Sequence, residues 1–189
     1  MKSRTHGDAV IRPFESSEWE TWRELRIRAT RDSPDASAET VDELLEHEED
    51  WWIDLVVKTV EHQRGLLAGA FVGDAPVGMA FGRVDAGRTT HGLGGMWVAP
   101  EARGTGLGRA LAEYVIDWGA AFGVDRYELW VTDGNDGAEQ LYRSLGYRRT
   151  NSTRPLRKGS DRTIVLMERV RASCTLSGIG DPWGCGPGR

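Results

Sequence analysis

Cysteine is scarce in this chain of 189 residues: there are two, Cys174 and Cys185, both close to the C-terminus. A disulfide framework for the body of the protein is therefore excluded, and only a single tail disulfide stays open. No stretch approaches transmembrane length, and the N-terminus has no signal-like apolar run. A cytoplasmic protein with no membrane partner is expected on that basis. Bases are not in excess: Lys and Arg number 24 against 29 Asp and Glu, a net charge of −5. Bulk charge thus disfavours nucleic acid as a partner. There is no internal repeat.

What remains is ordinary for a globular protein, with 39% hydrophobic and 28% charged residues. That composition and length suit one domain with a sizeable core. Charge is unevenly placed. Glu39 to Asp50 carries seven acids and no Lys or Arg, and Arg148 to Arg171 carries eight bases against two acids. Both runs read first as solvated surface.

Along the chain, Asp8 to Arg12 reads as a short strand stopped by Pro13. Ser16 or Ser17 is placed to cap a helix running to about Arg31, and Asp32-Ser33-Pro34-Asp35 breaks it. A second helix is predicted over Ala38 to Val60, with Val41, Leu44, Leu45, Trp52, Leu55 and Val56 at roughly helical spacing. Leu66 to Val72 and Val77 to Val84 form a hairpin around Gly73-Asp74-Ala75-Pro76. Leu93 to Ala99 is the next strand. Leu107, Ala110, Leu111, Tyr114, Val115 and Trp118 mark an apolar stripe on a helix over Leu107 to Ala121. Arg126 to Thr132 is a strand. Asp136 and Glu139 are placed for a capping box on a short helix ending at Gly146. Tyr147 to Thr153 and Arg162 to Arg169 close the sheet. Beyond Val170 the composition turns to Gly, Pro, Ser and Cys, which reads as a tail outside the core. The expected organisation is one domain over residues 8–169 and a tail over 170–189.

The informative stretch is Arg103-Gly104-Thr105-Gly106-Leu107-Gly108, lying between a strand and a helix. Glycines leave backbone N–H groups uncovered, and a helix N-terminus adds partial positive charge. Together they suit phosphate oxygens. Arg103 and Arg109 place fixed charge at the two ends of the loop. Glycines in such a turn can also serve only its shape. A dinucleotide fingerprint is absent, since Gly104-x-Gly106-x-Gly108 has the wrong spacing, and no Lys-Ser or Lys-Thr follows as a Walker loop needs.

The motif Arg103-x-x-Gly106-x-Gly108, placed after Met96-Trp97-Val98-Ala99-Pro100, resembles the phosphate motif of the GCN5-related N-acetyltransferase (GNAT) superfamily. Asn135, Ala138, Leu141-Tyr142 and Leu145-Gly146-Tyr147 resemble its second signature. The resemblance covers about Ile11 to Glu168 and is strongest from Met96 to Tyr147. It implies an α/β (α+β) single-domain GNAT fold: a mixed, mostly antiparallel twisted sheet of about seven strands, about four helices, and splayed central strands. It also implies acetyl-coenzyme A as co-substrate and no metal. The pyrophosphate would lie on Arg103, Gly104, Thr105, Gly106, Leu107, Gly108 and Arg109. The pantetheine arm would pair with the backbone of Met96, Trp97 and Val98, as an added strand does, and bond Asn135. An N–H near Val98 would stabilise the oxyanion. Tyr142 would be the general acid facing the coenzyme sulfur. Taken as residues alone, Tyr142 is also a core aromatic, Asn135 a helix cap, and Gly94 and Gly95 either a bend or a packing device.

One departure stands out. Many relatives carry a Glu on the strand before the phosphate loop as general base, and here that region reads His91-Gly92-Leu93-Gly94-Gly95. His91 has a suitable ordinary pKa, although a surface-turn histidine is the blander reading. Glu128 on the neighbouring strand and ordered water are the other candidates. The implied activity is transfer of acetyl from acetyl-coenzyme A to a primary amine by direct attack in a ternary complex. The acceptor is expected to be a small molecule, with a protein or peptide amine, or a non-catalytic acetyl-coenzyme A sensor, as alternatives; a homodimer is compatible with it. Arg28 to Glu43 and Thr150 to Asp161 are expected to wall the acceptor pocket. Asp32, Asp35 and Glu39 in the first segment suit a cation, and the basic second segment suits an acidic group.

Overall fold

Eight strands pair into one sheet in the order β1-β2-β3-β4-β5-β6-β8-β7 in the computed structural model, which describes residues 1–62 and 64–170. The strands are β1 (Arg4–His6), β2 (Ala9–Pro13), β3 (Gly65–Val72), β4 (Ala75–Val84), β5 (Thr90–Val98), β6 (Arg126–Thr132), β7 (Arg148–Pro155) and β8 (Thr163–Val170). Five helices accompany them: α1 (Trp19–Asp32), α2 (Val41–Glu46), α3 (Glu49–Glu61), α4 (Leu107–Ala120) and α5 (Asp136–Ser144). Every neighbouring pair is antiparallel except β5 and β6. The α/β sheet with splayed centre expected from sequence is therefore present, with one strand and one helix more than expected. The tail, with Cys174 and Cys185, lies outside the described residues.

The extra strand is β1, which pairs back on β2 across Gly7-Asp8. Three polar residues carry no alternation signal, so sequence reading started the sheet at β2. The extra helix comes from a break at His47-Glu48 in what read as one helix over 38–60. The Thr40 hydroxyl accepts from the Glu43 N–H (3.2 Å), and the Glu43 carboxylate accepts from the Thr40 N–H (2.7 Å), a capping box that fixes where α2 starts. The run of acids explains the break. A continuous helix would place like charges one turn apart, whereas a new N-terminus at Glu49 and Asp50 welcomes them. The start of α1 also differs. Neither Ser16 nor Ser17 caps it; the Glu15 N–H donates to Glu18 (2.8 Å), and Glu18 is held by Arg12 (2.7 Å).

The core lies on both faces of the sheet. Leu111, Tyr114 and Val115 of α4 are buried on one side, where Cβ atoms at Gly78 and Gly82 of β4 would meet Leu111 and Val115. Trp22 and Leu25 of α1 and Trp52 and Val56 of α3 are buried on the other. Large aromatic and aliphatic side chains of this kind stabilise by roughly 1.5–3 kcal/mol each on burial.

Candidate functional site

The parallel ladder between β5 and β6 runs from Thr90↔Arg126 to Leu93↔Leu129 and stops. Beyond it β6 stays paired with β8 as far as Thr132↔Ile164. β5 bends away instead. Its pairing with β4 jumps from Phe81↔Gly94 to Met79↔Trp97, so β5 holds one extra residue there. Gly95 sits in the bulge at φ +58, a left-handed conformation that glycine adopts without strain. A Cβ on Gly94 or Gly95 would also run into the Phe81 ring, at 2.4 and 2.7 Å. Both readings of this pair hold: Gly95 makes the bend, and both accommodate Phe81.

The glycine loop follows the diverging end of β5. Gly104 and Gly106 have φ of +76 and +83, and Gly106 immediately precedes α4. Nothing lies within 4 Å of where a Gly104 Cβ would be. Gly104, Thr105 and Gly106 are exposed, Leu107 is buried in the core, and Gly108 is half-buried. A Cβ on Gly108 would be 3.6 Å from Val98 and 3.8 Å from Leu141. The loop, the end of β5 and α5 therefore meet at one point. Thr105 is held by its own hydroxyl bond to the Ala102 carbonyl (2.8 Å), and its carbonyl meets the His6 ring (2.9 Å), a contact supplied by β1.

The two arginines are occupied. Arg103 Nε donates to the Val98 carbonyl (2.9 Å) and its Nη2 to Asp32. Arg109 pairs with Glu113 (2.9 Å) and donates to the Ser144 hydroxyl (2.9 Å), tying α4 to α5. Asn135 is exposed and its Oδ1 accepts from the Ala138 N–H (3.2 Å). Asn135 is thus the cap of α5, in place of the predicted Asp136–Glu139 box. Glu139 is buried and pairs with Arg143 (2.5 Å) and Arg149 (3.3 Å). Tyr142 lies on the buried stripe of α5 and is 7% exposed. Burial pushes its phenol well above the usual range, so it keeps its proton at neutral pH. The nearby Tyr147 ring is 6.2 Å away, and its hydroxyl is sealed without a partner.

Met96 and Val98 are half-buried and Trp97 is buried. The Trp97 indole N–H donates to Asp32 (2.8 Å). Asp32 also accepts from the Ser33 hydroxyl (2.8 Å). Partial burial pushes this carboxyl up, but the bonds from Trp97, Ser33 and Arg103 outweigh that and hold it below the usual range. Three residues on, the Asp35 carbonyl accepts from the Thr132 hydroxyl at the end of β6 (2.7 Å). The segment Asp32–Asp35 is thus bonded to both diverging strand ends and crosses the mouth of the gap between them. Sequence reading had no signal for Thr132, whose partner is 97 residues away.

The expected acceptor walls are brought together. Arg157 donates to the Pro34 and Ser37 carbonyls (3.0 and 2.8 Å), and Arg162 pairs with Asp35 (2.6 Å). Glu39 pairs with Arg26 (3.7 Å) and meets His47 (3.1 Å). The two segments are therefore joined by one ion pair, Asp35–Arg162, and by the Arg157 bonds, while Asp32 and Glu39 find their partners in Arg103 and Arg26.

His91 is corrected outright. It is in β5, not in a surface turn, and is wholly buried with both ring nitrogens unpartnered. Burial lowers its pKa to about 4. It packs under Gly119 and against Trp118 and Tyr127, away from any path for a substrate proton. Glu128 is on β6 and faces Arg126 at 3.5 Å. No group of three His, Cys, Asp or Glu suited to a metal occurs among the described residues, and none of the described helices is long and apolar enough to cross a membrane.

A family model described as the acetyltransferase (GNAT) family matches residues 19–147, which include the bulge, the loop and α5. The chain belongs to the GNAT family. A mycothiol acetyltransferase of Beutenbergia cavernae is 34% identical over 148 residues, covering 75% of this chain and 46% of its own length. The chain spans about half the length of the curated relatives it matches. Among solved structures, a GNAT-family acetyltransferase from Streptococcus pneumoniae superposes with a TM-score of 0.70 at 21% identity, over 86% of this chain and 98% of its own. A Salmonella typhimurium protein solved with its cofactor acetyl-CoA gives 0.68 at 18% identity, over 98% and 100%. These two are likenesses of fold.

Proposed function

We propose that this GNAT domain transfers acetyl from acetyl-coenzyme A to the primary amine of a small molecule. The observation that carries the reading is the parting of β5 from β6 below Leu93↔Leu129, beside a loop of uncovered amides at the start of α4. A pyrophosphate fits that loop: Gly104, Thr105 and Gly106 are exposed and the helix end adds favourable charge. An extended amide-bearing arm fits the unpaired edge of β5 over Met96, Trp97 and Val98. The Salmonella protein of this fold was solved with acetyl-CoA, and the curated relatives carry the name of a small-molecule acceptor.

Acetyl-coenzyme A supplies an activated acyl thioester. This chain's residues do the rest. A backbone N–H near Val98 is the donor for the developing oxyanion. The amine nitrogen forms the new N–C bond as the C–S bond breaks, in a ternary complex. The Tyr142 phenol, kept protonated by burial, gives its proton to the leaving sulfur. The amine's own proton passes to water, because β5 carries no carboxylate and its one histidine is sealed.

The test is coenzyme A release from acetyl-coenzyme A with a panel of small amines, amino acids, aminoglycosides and N-terminal peptides, next to calorimetric binding of coenzyme A. Release with a small amine is the expected result. Binding without release by any amine would favour a sensor, and release only with peptides would overturn the acceptor class. Tyr142→Phe is expected to lower kcat by about 10²-fold or more, with coenzyme A affinity unchanged. An unchanged kcat would remove Tyr142 from the mechanism.

A further inference from the structure

The gap between β5 and β6 has a strap across it, and the strap is bolted at the donor end by an arginine of the phosphate loop. Asp32 is the bolt's other half. It sits on the α1 side of β5 beside Trp97, at the end of α1, where the strap begins. The Asp32 side chain is 22% exposed and the Arg103 side chain 48% exposed. Arg103 belongs at once to the loop proposed for the pyrophosphate and, through Nε, to the Val98 carbonyl. The same guanidinium therefore joins the loop proposed for the donor's anionic end to the carboxylate that accepts from the Trp97 indole.

We propose that Asp32 is the carboxylate that receives the acceptor's ammonium group, and that Arg103 keeps it closed until the phosphates of the donor draw the guanidinium away. This rests on the donor reading above and names the residue pair, Arg103 and Asp32, that couples the donor's phosphates to the acceptor's charge. Two facts favour Asp32 over the neighbouring acids. Asp35 and Glu39 are paired with Arg162 and with Arg26, which belong to no phosphate-binding element. Only the partner of Asp32 lies where an incoming anion would compete for it. A phosphate group offers a guanidinium two bidentate edges and more charge than a carboxylate, so the exchange is favourable for Arg103. Once released, Asp32 still accepts from the Trp97 indole and the Ser33 hydroxyl, which hold it in place for a cation.

Calorimetry on the whole chain tests this with coenzyme A and with pantetheine, which lacks the phosphates. In Asp32→Asn the side-chain carbonyl still accepts from Trp97, but the ion pair is gone. Coenzyme A is expected to bind about fivefold more tightly to Asp32→Asn than to the wild type, with pantetheine affinity unchanged. Glu101→Gln removes a nearby surface charge, paired with Arg28 at 2.5 Å, and is expected to change coenzyme A affinity by less than twofold. Turnover of the amine found in the panel is expected to show a KM for that amine at least tenfold higher in Asp32→Asn. Equal or weaker coenzyme A binding by Asp32→Asn, or equal tightening by Glu101→Gln, would overturn the inference. So would an unchanged amine KM. If Asp32→Asn fails to fold, Arg103→Gln serves: it should weaken coenzyme A binding yet lower the amine KM in initial-rate measurements at low donor concentration, and an amine KM that does not fall would be equally fatal. Failure of the wild type to bind coenzyme A at all would overturn the donor reading itself, which the other outcomes leave standing.

Discussion

The residue with the sharpest physical consequence outside the site is His91. A buried neutral imidazole has a pKa lowered to about 4, against 6.5 in the unfolded chain. As pH falls below 6.5 the unfolded state takes up the proton first, so stability declines through the window from about 6.5 to about 4. At pH 5 the cost is on the order of 2 kcal/mol relative to pH 7 and above. Chemical denaturation of His91→Leu should show a smaller loss between pH 7 and pH 5 than the wild type, and an equal loss would place the acid lability elsewhere. The ring's cover is Gly119, where a Cβ would lie 2.3 Å from His91 Cδ2. Alanine gains helix propensity of about 1 kcal/mol, but here it would overpack a rigid ring. Gly119→Ala is expected to lower Tm by about 4 °C or more, and a raised Tm would show that the histidine can move aside.

At the scale of an element, the bulge in β5 decides whether a gap exists. Gly95 at φ +58 and the Phe81 ring laid over it are one device. Gly95→Ala would put a Cβ 2.7 Å from that ring in a backbone conformation costing a non-glycine roughly 1–2 kcal/mol. Both stability, by about that amount, and coenzyme A affinity should fall. A loss of stability with unchanged coenzyme A binding would mean that the bulge is not needed to hold the gap open. The helix pair α2 and α3 gives the converse lesson. Apolar spacing alone suggested one helix, because residues 44 and 52 keep helical phase across the break. The Thr40–Glu43 box and the crowding of acids were in the sequence, and weighing them would have found the second start.

For the whole molecule, the described core closes without the tail. The buried set runs from Ala9 to Met167, and both edges of the sheet, β1 and β7, are strands of the described chain. We expect a chain ended at Val170 to keep its Tm within about 2 °C and to bind coenzyme A as before. A larger loss would assign residues 171–189 to the fold. The acceptor wall is likewise a property of the whole. Asp35 and Arg162 come from opposite ends of the chain and pair at 2.6 Å, while Arg157 reaches back to the Pro34 and Ser37 carbonyls at 3.0 and 2.8 Å. Charge runs read locally had suggested a substrate to fill them.

The amino-acid sequence alone determined the order of elements from β3 to α5, the glycine loop and the stripe bearing Tyr142. Those are short-range facts: turn chemistry, helical phase and uncovered amides within a few residues of each other. Tertiary structure decided what each polar group faces. His91 left the list of bases because α4 and β6 close over it. Arg103 and Arg109 turned out to be engaged, and Asp32 accepts from Trp97 and Arg103, partners 65 and 71 residues away. No periodicity carries such information, since it is set by how the strap, β5 and the loop pack together.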